Sequence, residues 1–391
     1  MASFLIERIP LLVTNDSSHD GTSLGIIHDA AMVVDDGMIA WVGNTTNASR
    51  DGIDQVIDAT NRCVIPGFVD SHTHLVFGGD RSQEFSARMR GEKYAAGGIT
   101  ATVAATRSAT DSDLRKNALF LYNEALVSGT TTIEIKSGYG LTVVDEKRSL
   151  EIARALTPES TFLGGHVVPV EYQNDVDGYV DLVCGEMLDM AAPFAKWIDV
   201  FCDRGAFTPE QARTILTCGI SKGLLPRLHA NQLEEGAGIA IGVELDCASV
   251  DHVTYVSDAD LALLERSNTV ATLLPGAEFS TRSKYPDARR FLEAGITLAI
   301  ASDCNPGSSY STSMSFMIAI AVRDMYFSPE QALWSATRGG AQALRRDDVG
   351  QLAVGSKANF LFLKSSTYIH LAYRPGVQLI DEVWRNGIHI Q

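Results

Sequence analysis

The chain has 391 residues, 45% of them hydrophobic and 20% charged, which is enough apolar material for a large core. Thirty-two basic residues stand against 48 acidic ones, a formal charge of −16. A surface this acidic argues against nucleic acid and anionic membranes as partners, and an anionic substrate would need a local cation to receive it.

The length suits a barrel with an added module better than one simple domain. Cys63, Cys184, Cys202, Cys218, Cys247 and Cys304 are widely spaced and form no C-x-x-C pair. They point to a reducing, cytoplasmic compartment rather than a disulfide framework. The opening stretch MASFLIERIPLLVTND breaks its apolar residues with Glu7, Arg8 and Pro10, so a secretory signal is not expected. No run approaches the roughly 18 apolar residues of a membrane span.

In chain order, residues 1–65 alternate as short strands, with a hairpin turn expected at Asp35-Asp36-Gly37. The C-terminal stretch repeats this character in ANFLFLK and LIDEVWRNGIHIQ, with a tight turn at Asn386-Gly387. Between them lie eight apolar runs: CVIPGFVDSHTH, TTTIEIKSG, TFLGGHV, WIDVFCD, LPRLHAN, ASVDHVTY, TVATLLPG and TLAIASDCN. Helical stretches with Ser, Thr or Asp caps separate them, which implies a parallel sheet covered on both faces. Eight such units predict an α/β chain. A (β/α)8 TIM-like barrel is expected over 66–345, and a small β-sandwich domain from 1–65 and 346–391. The first connection, about 50 residues long, is expected to carry extra helices over the barrel mouth.

In such barrels the chemistry sits at the C-terminal ends of the strands. There the sequence places His72 and His74, His166, His229, His252 and Asp303. Residues i and i+2 on a strand face the same way, so His72 and His74 can share one ion. Alone, H-x-H is as well explained by a polar, half-exposed strand end. With His229 and Asp303 it becomes three imidazoles and a carboxylate, a set suited to Zn2+ or Fe with an open position for water. GAGIAIG from Gly236 has the wrong spacing for a nucleotide fingerprint and is read as helix packing. Arg345-Arg346-Asp347-Asp348 is read as a solvated turn.

PGFVDSHTH, the histidines ending the fifth and sixth strands and the aspartate ending the eighth resemble the amidohydrolase superfamily. More specific stretches resemble its imidazolonepropionase family: HTHLVFGGDR, EIKSGYGL, FLGGHVVPVEY, VFCDRGAF, LHANQL, VDHVTY, LLPGAEF and SDCNPGSS. They cover most of 64–340, and GQLAVGSKANFLFL resembles the returning strands of the superfamily's small β domain.

The resemblance implies hydrolysis of the ring C–N bond of 4-imidazolone-5-propanoate to N-formimidoyl-L-glutamate, in histidine degradation. It also implies a homodimer and one transition metal ion, Zn2+ or Fe2+/Fe3+, held by His72, His74, His229 and Asp303. Lys136 is expected in a salt bridge or rim hydrogen bond rather than bridging two metals. The reaction needs a water nucleophile, a polarised carbonyl and a proton for the leaving nitrogen. Asp303 is the expected proton acceptor, His252 the partner of the water or oxyanion, and Gln232 a hydrogen-bonding partner of the ring amide. Arg81 is expected to take the substrate carboxylate in its planar fork. Tyr139 and His166 are further implied substrate contacts, and Asn305, the Gly307 backbone and Ser308 are expected to cradle carboxylate oxygens. A different cyclic-amide hydrolase or deaminase would share the metal residues without Arg81, Tyr139 and NPGSS. A non-catalytic scaffold on the same fold would have lost ligands that this chain keeps.

Overall fold

A computed structural model describes residues 3–91 and 98–391. The chain divides into two compact units, the first built from Met1–Ser71, Glu124–Thr132 and Ser313–Gln391, the second from His72–Asn123 and Ile133–Thr312.

The first unit is organised around the strand Phe4–Val13. It pairs antiparallel with Ile26–Asp35 and parallel with Gln55–Asp58 and Val64–Pro66. Ile26–Asp35 turns into Met38–Asn44 through Asp36 and Gly37, both at positive φ, as a tight hairpin requires. Phe360–Leu363, Ile380–Arg385 and Ile388–His389 extend the same sheet, the last two joined at Asn386-Gly387. Period-two alternation sends Phe4, Ile6, Met32, Val34, Phe360, Phe362 and Trp384 into one core. The helices Met314–Asp324 and Pro329–Trp334 pack within this unit, although their sequence position follows the strand-helix series.

The second unit holds a curled parallel sheet. Its strands run Leu298–Ile300, Val270–Leu273, Ser249–His252, Leu228–Ala230, Trp197–Cys202, Ser160–Gly165 and Ile135–Lys136, with Leu225–Pro226 also pairing on Trp197–Cys202. All are buried apart from Leu225, as strands covered on both faces should be. Seven of the eight expected runs therefore lie in one sheet. The first run differs: its strand Phe68–Asp70 pairs with Thr130–Ile133 in a separate two-stranded sheet, and regular pairing stops before the histidines. The segment 72–74 is nevertheless tied to both ends of the parallel sheet. Asp303 N–H donates to His72 O, His74 N–H to Cys304 O and Lys136 N–H to Thr73 O, each at 3.0 Å.

The connecting helices follow their sequence signals. Thr208 and Gln211 form a capping box on Pro209–Ser221, Ser257 and Asp260 another on Asp258–Glu265, and Thr142 caps Val143–Leu156. The long first connection supplies Ser82–Met89, Ile99–Ser108 and Asp111–Val127. The glycines of GAGIAIG are there for packing: a Cβ at Gly242 would lie 2.3 Å from Val250 Cγ1, on the strand beneath the helix Gly238–Glu244. Among the described residues no helix is long and apolar enough to cross a membrane.

Candidate metal centre and active site

The expected ligands lie in the second unit and converge. His72 Nε2 is 3.2 Å from His74 Nε2, and these atoms lie 3.6 and 3.5 Å from Asp303 Oδ1. His229 Nε2 is 3.4 Å from His74 Nε2. Bonds of about 2.0–2.2 Å to one shared ion place neighbouring ligand atoms roughly 3.3 Å apart, so the spacing fits a common metal. His72, His229 and His252 also form a group with ligand atoms mutually within 4.8 Å, so His252 stands beside the cluster.

The chemistry of the donors supports the same reading. Asp251 Oδ2 sits 2.7 Å from His72 Nδ1, and Asp199 Oδ1 sits 3.0 Å from His229 Nδ1. A carboxylate can only accept, so it fixes the N–H on Nδ1 and leaves the Nε2 lone pair facing the cluster. Lone pairs and a carboxylate oxygen meeting at this distance repel unless a cation lies between them. Burial pushes the imidazoles of His72, His74 and His252 well below their ordinary pKa, which keeps them neutral and ready to ligate. Burial, with a contribution from the charge of Glu278, pushes Asp303 well above the usual carboxylate range, a state that a nearby cation reverses.

Local backbone strain accompanies this convergence. Asn231, His252 and Asp303 have φ of 54°, 77° and 50°, in the left-handed region that side chains disfavour. At Asn231 the bend is held from both sides, because Tyr255 N–H donates to its carbonyl and its Nδ2 donates to Tyr255 O, each at 3.0 Å.

A cleft with about 490 Å³ of empty space opens onto the cluster. His74, His229, His252 and Asp303 line it together with Arg81, Tyr139, His166, Gln232, Asn305 and Ser308. Tyr139 is held there because Glu146 accepts the N–H groups of Gly138, Gly140 and Leu141 around it. His166 Nδ1 donates to Gly138 O at 2.9 Å, and burial lowers this imidazole to about 3, so its other nitrogen is an acceptor. Gln232 is positioned through its backbone N–H, which donates to Asp203 Oδ2 at 2.7 Å.

Both groups expected to bind a carboxylate already have partners within the chain. The fork of Arg81 is occupied: Nε and Nη2 hold Glu84 at 2.8 and 2.7 Å, and Arg88 Nη1 reaches the same carboxylate at 3.1 Å. The acid one turn along the same helix neutralises part of the cation that was expected to face the substrate alone. The backbone N–H groups of Gly307 and Ser308 are not open either, since Asn305 Oδ1 accepts both at 2.8 Å. Asn305 Nδ2 in turn donates to Asp303 O and Ser308 Oγ at 2.6 and 2.9 Å. The loop is closed upon itself, and Ser308 Oγ donates to Asp303 Oδ2 at 3.3 Å. Gly307 has a different use: a Cβ there would lie 2.2 Å from Arg81 Nη1, so only glycine leaves room for the guanidinium.

Sequence reasoning missed Asp199, Asp251, Glu134, Arg227 and Glu84. The first four are charged residues inside fully buried strands or directly beside them, and that interruption of apolar runs was the available signal.

Comparison with known proteins gives the family. Residues 55–150 and 228–388 each match a model of the amidohydrolase family, which defines the class. The chain is 59% identical over 387 residues to the imidazolonepropionase of Mycolicibacterium smegmatis, covering 99% of this chain and 97% of that protein. It is also 59% identical over 390 residues to the imidazolonepropionase of Salinispora tropica, covering 99% of both. The chain belongs to the imidazolonepropionase family of amidohydrolases. Among solved structures, atrazine chlorohydrolase TrzN from Arthrobacter aurescens, complexed with zinc, aligns with a TM-score of 0.73 at 18% identity over 99% of this chain and 94% of that one. Guanine deaminase from C. acetobutylicum aligns at 0.74 with 16% identity over the whole of both chains. These two likenesses establish the shared fold.

Proposed function

We propose that the protein hydrolyses the ring C–N bond of 4-imidazolone-5-propanoate to give N-formimidoyl-L-glutamate, in histidine degradation. The observation that carries this reading is the convergence of His72, His74, His229 and Asp303, the last three lining a cleft that Arg81 also lines, in a chain 59% identical to imidazolonepropionases along its length. The catalytic domain is read as a (β/α)8 barrel over 66–345, and 1–65 with 346–391 as a small β-sandwich domain. A cytoplasmic homodimer acting on a small anionic molecule, apart from membranes and nucleic acid, is the accompanying expectation.

One transition metal ion, Zn2+ or Fe2+/Fe3+, would be held by the three histidines and Asp303. When bound, such an ion acts as a Lewis acid and brings the pKa of a coordinated water from near 16 toward about 7. Asp303 accepts the proton of the attacking water, helped by the Ser308 hydroxyl that fixes its second oxygen. The water oxygen bonds to the ring carbonyl carbon and the ring C–N bond breaks. The leaving nitrogen takes up a proton, and the former carbonyl becomes the new carboxylate. His252 hydrogen-bonds the water or the developing oxyanion, and Gln232 hydrogen-bonds the ring amide. Arg81 receives the propanoate, with Tyr139 and His166 beside the ring.

The test is an assay with 4-imidazolone-5-propanoate beside a panel of cyclic amides and aminopurines, together with elemental analysis of protein prepared without chelators. Turnover of the imidazolone with one metal per chain supports the reading. Preference for another ring, or two metals per chain, overturns it.

A further inference from the structure

Behind the imidazoles lies a layer of charge without access to water. Glu134, Lys136, Asp199, Arg227 and Asp251 are each 0% exposed. Burying so many charges is costly unless each finds a partner, and packing alone gives no reason for them. Lys136 is at the centre of the layer. Its Nζ lies 3.0 Å from Glu134 Oε1 and 2.9 Å from Asp199 Oδ2.

Each of those carboxylates uses its other oxygen on the candidate metal centre. Glu134 Oε2 accepts the backbone N–H of Thr73 at 3.1 Å, and the Glu134 carbonyl accepts the Thr73 hydroxyl at 2.6 Å. Thr73 is the residue between His72 and His74. Asp199 Oδ1 accepts the backbone N–H of His229 at 3.1 Å and faces its Nδ1 at 3.0 Å. One ammonium thus joins the two segments that carry three of the four expected ligands. Arg227 has a parallel but narrower place, 3.1 Å from the Asp251 oxygen that orients His72.

We propose that Lys136 is a positioning residue of the metal centre, which pairs with Glu134 and Asp199 and so holds the 72–74 segment and the His229 ring in register for one ion. This rests on the ligand set proposed above. A compact ammonium with three donors suits a gap between two carboxylates on different strands. Its role is indirect, because it acts through the groups that orient the imidazoles, as outer partners of metal ligands do.

The experiment compares wild type, His229→Ala and Lys136→Met, each loaded with Zn2+. It reads zinc content, the rate of zinc loss to a chelator, and the thermal midpoint with and without zinc. The expected result is one zinc in wild type, none in His229→Ala, and release about 10–100-fold faster from Lys136→Met. The zinc-induced rise in midpoint should also be smaller in Lys136→Met. A merely structural lysine would lower both midpoints together and leave the zinc-induced rise and the release rate at wild-type values, which overturns the proposal. If Lys136→Met is insoluble, the double variant Lys136→Met/Glu134→Gln, which removes one of the two stranded carboxylates, takes its place: faster zinc release supports the proposal and a wild-type rate overturns it. Wild-type protein that binds no zinc and no iron would instead sink the ligand set itself.

Discussion

The histidine cluster and Arg81 line the same cleft but are built on different principles. Each imidazole of His72 and His229 is fixed by a buried carboxylate, and each carboxylate by a buried cation, so a chain of partners runs from the cleft into the interior. Every link is desolvated, where charge pairs are strong and unpaired charges costly. Arg81 and Arg88, both buried, instead share Glu84, whose side chain is 32% exposed. There water reaches the carboxylate, while both guanidinium groups stay buried. One region closes its charges off from water on every side, and the other shares one partly exposed acid between two buried cations.

The largest expected break falls on the cluster. His72→Ala should abolish stoichiometric metal and lower kcat/KM by about 10³-fold or more, several kcal/mol of transition-state stabilisation. Elemental analysis beside steady-state kinetics checks both halves, and metal retained at one per chain would show that His72 is not a ligand.

Arg81→Met should come next, costing about 2–5 kcal/mol in kcat/KM while leaving metal content unchanged. Arg81→Lys should recover only part of this, since a point charge lacks the fork. A substrate analogue without the carboxylate should be turned over poorly by wild type and be nearly indifferent to the change. If that analogue suffers equally, Arg81 is structural.

His252→Asn separates the regions from the other side. It should keep the metal and lower kcat by about 10²-fold, the loss of one positioned acid–base or oxyanion group. Metal loss in this variant would move His252 into the ligand set.

The smallest effect sharpens the account of the shared acid. Glu84→Gln removes the acid that shares Arg81, so KM for the anionic substrate should fall about 2–5-fold with kcat little changed, the scale of a partly exposed ion pair. The gain should shrink as salt is raised. An increase in KM would mean that Glu84 aims Arg81 and does not compete for it.

This contrast also explains what could be seen in the sequence. The convergence of His72, His74, His229 and Asp303 was legible because the ends of barrel strands meet on one face, and strand ends follow from apolar runs broken by helical periodicity. The tight turns at Asp36-Gly37 and Asn386-Gly387 were legible for a similarly local reason. Asp199 and Asp251 were not, because an acid inside an apolar strand has the same appearance whether it meets a histidine or a lysine across the sheet. Glu84 looked like an ordinary acid in the first turn of a helix. The donors of Gly307 and Ser308 looked open because only the folded loop shows Asn305 turning its own carbonyl onto them. The stop in strand pairing after Asp70 was also out of reach, since the 72–74 segment is placed by neighbours distant in the chain.

Those distant neighbours set the order of events as the protein forms. His72 is hydrogen-bonded to Asp303, roughly 230 residues further along, and the same seam carries the bond from His74 to Cys304. Closing a loop of that length is among the slowest and entropically most demanding steps available to a chain. A ribosome releasing the protein from its N-terminus has exposed His72 and His74 long before Asp303 exists. The complete set of four therefore exists only once the strand Leu298–Ile300 and the residues after it have been made, so an ion that needs all four cannot be captured before that point.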